Sequence, residues 1–169
     1  VLGCIFSSIT SNEYGAAIYI QKDIDVKLNQ NQFNDCHTQK DRGGALYIVK
    51  KDGDFDKTDF KNYQGVQNLE IQFCCFSNCS GSENIYGSCL FSCSENTKLF
   101  YTSTIECSNI LQATGAQFDM QSPSNVQTQF VNISLGSAEY CGGIEYRNAR
   151  QGFFQYQTIT GLCSCFATS

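Results

Sequence analysis

Apolar and polar residues alternate along this chain in short runs, and the runs share a frame. GAAIYI (15–20), GGALYI (43–48), GSCLFS (87–92), GAQFDM (115–120) and CGGIEY (141–146) align position by position. The second position is always small: Ala16, Gly44, Ser88, Ala116, Gly142. The fourth is always large and apolar: Ile18, Leu46, Leu90, Phe118, Ile144. The sixth is mostly apolar: Ile20, Ile48, Ser92, Met120, Tyr146. A period of two is the signature of a strand with one buried face, so positions two, four and six are expected to point inward. The fifth position holds Tyr19, Tyr47, Phe91, Asp119 and Glu145. It accepts charge, and is therefore expected to face outward.

Each run is preceded by an apolar anchor. Taking these as Ile5, Phe33, Phe76, Ile105, Phe130 and Ile159, subtraction gives spacings of 28, 43, 29, 25 and 29 residues. A third short segment lies upstream, marked by Leu28, Ile71, Phe100 and Phe154, with Asn125 as the exception. Each period thus holds about three short strands. No stretch keeps the i, i+3, i+4 spacing of a helix, and the leucine-rich frame is missing. The expected fold is all-β: a right-handed parallel β-helix of about 25–29 residues per coil and about five to six coils. Residues 1–169 are read as one β-helix segment, expected to belong to a longer chain because no polar caps stand out at its ends. Residues 50–64 are an inserted loop that accounts for the spacing of 43.

The stretch Phe33 to Ile48, FNDCHTQKDRGGALYI, carries a resemblance. F-x-x-C followed by G-G-A-L-Y resembles the repeat of chlamydial polymorphic outer-membrane proteins. The CCFSNC run (74–79) and the Gln- and Asn-rich strands resemble the related β-helical surface proteins of trichomonad protists. Cys36, Cys79 and Ile133 stand where the chlamydial anchor motif usually has Asn. The resemblance implies a surface-displayed protein with an adhesin-like or structural role.

Composition narrows the function. Apolar residues make up 41%, which excludes a disordered chain. The net charge is −5 and the longest basic cluster is Lys50 and Lys51, which argues against nucleic acid. No apolar run reaches the ~20 residues of a membrane span. Eleven cysteines in 169 residues point to an oxidising, extracellular setting. Each can be a small apolar filler of an inner row or half of a disulfide. Cys36 and Cys79 occupy the same place in successive coils and are the disulfide candidates. Zinc would need converging pairs. Cys75 with Cys79 and Cys89 with Cys93 have near-suitable spacing, but the lone His37, beside Cys36, should point the other way.

Asp52, Asp54, Asp56 and Asp59 in the insertion resemble the start of a calcium loop, yet Lys57 and Tyr63 stand where the EF-hand frame wants Gly and Glu. Asn78 and Asn132 fit the N-glycosylation pattern. For catalysis the best constellation is Asp119 and Glu145 on adjacent coils with Arg147 nearby, below a strip of Tyr19, Tyr47 and Phe91 that would hold a sugar. No nucleophile elbow, P-loop or H-E-x-x-H motif occurs, and no cofactor is called for. The expected function is non-enzymatic: an extracellular or cell-surface β-helix presenting Tyr19, Tyr47 and Phe91 as a binding surface. Its expected partners are neighbouring coils or protomers, and a host-surface or carbohydrate ligand. The alternatives are a carbohydrate-active enzyme and a filament subunit.

Overall fold

The computed structural model describes residues 1–39, 42–50, 65–81, 87–107, 116–121, 124–137, 143–147, 150–162 and 166–168. Sixteen strands follow one another without a helix among these residues. In chain order they form tiers. The first tier is β1 (Ile5–Ser11), β2 (Ile18–Gln21) and β3 (Val26–Asn29). The second is β4 (Gln32–Thr38), β5 (Leu46–Val49) and β6 (Val66–Gln72). The third is β7 (Cys75–Ser77) and the long β8 (Leu90–Phe100), which turns across two faces. Then come β9 (Ser103–Ile105), β10 (Phe118–Gln121) and β11 (Asn125–Gln129). They are followed by β12 (Asn132–Ser137), β13 (Ile144–Arg147) and β14 (Gln151–Gln155), and last by β15 (Thr158–Leu162) and β16 (Phe166–Thr168).

Every pairing is parallel and joins one tier to the next. On the first face, β1-β4-β7-β9-β12-β15 form a six-stranded sheet. The second face stacks β2, β5, the start of β8, β10, β13 and β16. The third stacks β3, β6, the end of β8, β11 and β14. The chain is a parallel β-solenoid whose core is the space the three faces enclose.

The expected inner row is present. Ile18, Leu46, Leu90, Phe118 and Ile144 are register partners in sequence, and the last four are fully buried. The anchor row is shifted. Register runs through Phe6, Phe33, Phe76, Thr104, Ile133 and Ile159. Ile5, Ile105 and Phe130, expected inside, are exposed. A displacement of one residue reverses the face of a strand, and the corners described below cause it here. The third face is likewise shifted at two tiers, with Leu28, Ile71, Leu99, Thr128 and Phe154 in register rather than Phe100 and Asn125. Aromatic stacking continues the order of the core: the ring centres of Phe6 and Phe33 lie 5.0 Å apart and those of Phe33 and Phe76 4.8 Å apart, each pair nearly parallel.

The second face is entered through glycine. Gly15, Gly43 and Gly87 have φ of 60°, 60° and 69°, a region that disfavours a side chain. A Cβ on Gly43 would also overlap the backbone carbonyl of Leu46. Gly3 shares the conformation, at φ 63°, but a Cβ there meets nothing within 4 Å. We expect Gly43→Ala to cost roughly 3 kcal/mol or more and Gly3→Ala only about 1 kcal/mol. Urea unfolding of the two variants measures both, and equal losses would refute the crowding at Gly43.

Candidate functional site

The chain leaves the third face for the first through a single residue in the left-handed region. Gln30, Phe73, Tyr101, Phe130 and Tyr156 have φ between 49° and 54°. The corner residue keeps its own amide in the ladder. The amides of Gln30, Phe73, Tyr101 and Phe130 donate to the carbonyls of Gln72, Phe100, Gln129 and Gln155 in the next tier, at 3.0–3.2 Å. Four of these corner residues are aromatic, and they stack. The pairs Phe73–Tyr101, Tyr101–Phe130 and Phe130–Tyr156 each have ring centroids 4.8 Å apart and planes within 9°. All four side chains are exposed, by 43–70%.

Stability does not account for this choice. A left-handed residue with a Cβ costs roughly 1–2 kcal/mol and is ordinarily Gly or Asn. Three stacked pairs return roughly 0.5–1.5 kcal/mol each. Four rings therefore gain little over four asparagines while exposing apolar surface to water, which is how contact surfaces are built. The ladder has amide and hydroxyl flanks. Asn29, Gln72, Phe100, Gln129 and Gln155 line one side, amides apart from the central Phe100, with Gln129 Nε2 donating to Gln155 Oε1 at 3.2 Å. Gln32, Cys75, Ser103, Asn132 and Thr158 line the other.

Further out on the third face, a second ladder is closed on itself. Asn68 donates to Asp25, Asn96 to Asn68 and Asn125 to Asn96, at 2.8–3.1 Å. Lys27 pairs with Glu70 at 2.6 Å. Asp25, Lys27, Asn68, Glu70 and Asn96 border a shallow groove of about 290 Å³, which Lys98 also lines.

The residues singled out from the sequence fall differently. Tyr19 is 45% exposed, but Tyr47 and Phe91 are fully buried. The fifth position does point away from the core, yet a second layer covers it. Tyr14 stacks on Tyr47 at 4.7 Å, and the buried Arg42 guanidinium lies 5.3 Å from the Phe91 ring centre. The outward aromatic strip is thus a second small core. Asp119 and Glu145 are register neighbours, but Asp119 is fully buried and accepts a hydrogen bond from the Gln121 amide. An acid shut away from solvent has no access to a polysaccharide. Arg147 pairs with Gln121 through the backbone register. Asp52, Asp54, Asp56 and Asp59 lie outside the described residues.

Asn78 is exposed and its amide donates to Asp35 at 2.7 Å. Asn132 is exposed and accepts from its own motif hydroxyl, Ser134, at 3.1 Å. Cys75 is exposed whereas Cys79 is buried, and Cys89 lies in the main core whereas Cys93 joins the second cluster. Neither pair converges, and no group of three metal-ligating side chains is placed to hold an ion among the described residues.

The cysteines have a local task. Beyond five of the left-handed residues, Asp35, Phe73, Asn78, Tyr101 and Glu106, a small donor turns back to the carbonyl before it. Cys36, Cys74, Cys79 and Cys107 donate to the carbonyls of Asn34, Gln72, Ser77 and Ile105 at 3.2–3.6 Å, and the Thr102 hydroxyl donates to Phe100 at 3.0 Å. These acceptors are already bound through one lone pair where a corner amide reaches them, as at Gln72 and Phe100, and the thiol or hydroxyl takes the second. Cys36 and Cys79, the disulfide candidates, are free thiols hydrogen-bonded to one another in successive tiers, and Cys107 continues the row.

These thiols hold their protons. The hydrogen bond to Cys79 is the leading cause that raises Cys36, and the bond to Cys107 leads at Cys79, with burial contributing to both. Burial leads at Cys74, Cys89 and Cys107, and pushes Cys93 up to about 12.

No family model, curated protein or solved structure matches this chain. Among the described residues no helix is long and apolar enough to cross a membrane.

The ladder was not apparent in the sequence. Its signal was there, as an aromatic followed two residues later by a small polar residue: Phe73-x-Cys75, Tyr101-x-Ser103, Phe130-x-Asn132 and Tyr156-x-Thr158. The raised thiols give a pH prediction. An unfolded thiol ionises near 9.0, and the folded ones ionise higher. Above that pH the folded chain holds more protons than the unfolded one. Stability is therefore full below pH 9.0 and falls as pH rises towards the folded values, by up to about 1.4 kcal/mol per pH unit for each thiol. Urea midpoints under reductant should drop across this window, and the drop should be shallower in Cys93→Ala. A midpoint that stays flat would contradict it.

Proposed function

We propose that this chain is a non-enzymatic segment of an extracellular or cell-surface β-helix, adhesin-like or structural, whose contact surface is the corner ladder of Phe73, Tyr101, Phe130 and Tyr156. One observation carries the reading: four aromatic side chains are held in the left-handed conformation and exposed, where Asn would serve the fold about as well. Compartment and display rest on the resemblance of Phe33, Cys36 and Gly43 to Leu46 to polymorphic outer-membrane protein repeats. The solenoid supplies what such a role needs. In-register tiers fix the spacing of outward side chains, so a contact surface built on them is rigid before it meets a partner. The burial of Asp119 weighs against the carbohydrate-active alternative.

The test uses the chain coupled to beads and presented to cell surfaces and extracellular matrix. Asn tolerates the left-handed region, so Tyr101→Asn with Phe130→Asn removes two rings without breaking the corner. We expect the wild type to attach and the double variant to lose most attachment, with an unchanged unfolding midpoint. Reducing ends released from a polysaccharide by the wild type, and lost in Asp119→Ala with Glu145→Ala, would overturn the non-enzymatic reading.

A further inference from the structure

The strip that holds the ladder has no charge. Its five tiers are Asn29–Gln32, Gln72–Cys75, Phe100–Ser103, Gln129–Asn132 and Gln155–Thr158, which read NQNQ, QFCC, FYTS, QFVN and QYQT. Charged side chains make up 16% of the chain, yet none falls in these quartets. The strip offers neither the cations that a polyanion needs nor carboxylates for a basic partner. What it offers is aromatic carbon along the middle, with amides and hydroxyls at both sides except at Phe100 and Cys75.

The rings are stacked obliquely. Carbon atoms in contact lie about 3.5–4.0 Å apart, whereas the centroids are 4.8 Å apart with nearly parallel planes. The rings must therefore be slipped, like shingles, and each leaves a strip of its π face uncovered. Three steps of 4.8 Å make a straight ridge of about 14 Å along the solenoid axis. A compact ligand would touch one ring, while an extended one can touch all four.

Area decides between a ligand chain and a second copy of the protein. Four rings of about 150–250 Å² each, roughly half exposed, present about 400 Å². A stable protein interface takes about 800 Å² from each partner, so the ridge alone is too small. It is large enough for a short run of sugars.

We infer that the ladder binds a neutral, linear, β-linked polysaccharide lying along the solenoid axis. The C–H faces of its sugars rest on the shingled rings, and its equatorial hydroxyls meet the flanking Gln, Asn, Ser and Thr side chains. This assignment rests on the contact-surface reading above and adds the ligand and its direction.

The test measures binding of the chain to neutral β-glucan oligosaccharides of increasing length, with polygalacturonate and heparin as anionic comparisons. Affinity should rise with length until the glycan spans the ridge and then level off, and should be insensitive to salt. Tyr101→Asn with Phe130→Asn should weaken binding about tenfold or more, while Lys98→Gln, on the separate groove, should leave it unchanged. Preference for the anionic glycans with strong salt dependence would overturn the assignment. So would undiminished affinity in the double variant, or wild-type dimers that the double variant dissolves, which would make the ladder a seam between copies. If beads attach in a ladder-dependent way but no neutral glycan binds, the sugar assignment fails and the contact-surface reading stands. If neither depends on the ladder, both fall.

Discussion

The left-handed corner is the constraint on which this solenoid depends. A coil must turn three times per tier while its strands stay in the ladder with the tier beside them. One residue near φ +50° achieves the turn between the third and first faces, and its own amide stays in the ladder, as Phe73 does on Phe100. The carbonyl before the corner is left with a second lone pair facing the core. A second donor on that lone pair adds to the corner where the next residue is small enough for the interior and able to donate, although Val131, after Phe130, shows that the turn forms without one. Cysteine and threonine meet both conditions. Cys74 and Thr102 hold equivalent places in successive tiers and do the same thing. That role gives Cys36, Cys74, Cys79 and Cys107 a place in the fold without cross-links.

The same corners explain what could be read in the sequence and what could not. The inner row from Ile18 to Ile144 was legible because it sits inside uninterrupted strands, where alternation of period two holds. The anchor row was legible at Phe33 and Phe76 and wrong at Ile5, Ile105 and Phe130. A left-handed residue resets the alternation, so counting in twos through the corner lands on the wrong face. Phe130 looked like core because it is aromatic and periodic. It is periodic because it is a corner. The fifth position failed for another reason. Alternation gives the side of a sheet, not what covers that side, and the Tyr14 and Arg42 layer over Tyr47 and Phe91 is a contact between segments that no local period encodes.

Burial then redistributes the chemistry. Asp119 and Glu145 are neighbours in register, as the repeat implied, but enclosure removes Asp119 from any surface reaction. Outward chemistry is left to the corners and flanks. Nearby on the third face Lys27 pairs with Glu70, and Asp25 accepts from Asn68, so these groups present little unmet demand to a partner.

The corner ladder differs from these in one physical respect. Its rings satisfy no polar group and cover no core, and their mutual stacking offsets only about the strain of the conformation that holds them. A feature that is close to neutral for folding and exposes apolar surface is maintained by something outside the fold. The tier spacing that the backbone imposes on Phe73, Tyr101, Phe130 and Tyr156 becomes the spacing of the contact itself. The scaffold and the binding surface are therefore set by one geometry: whatever lies along the ridge must repeat, or extend, on the scale of a β-ladder.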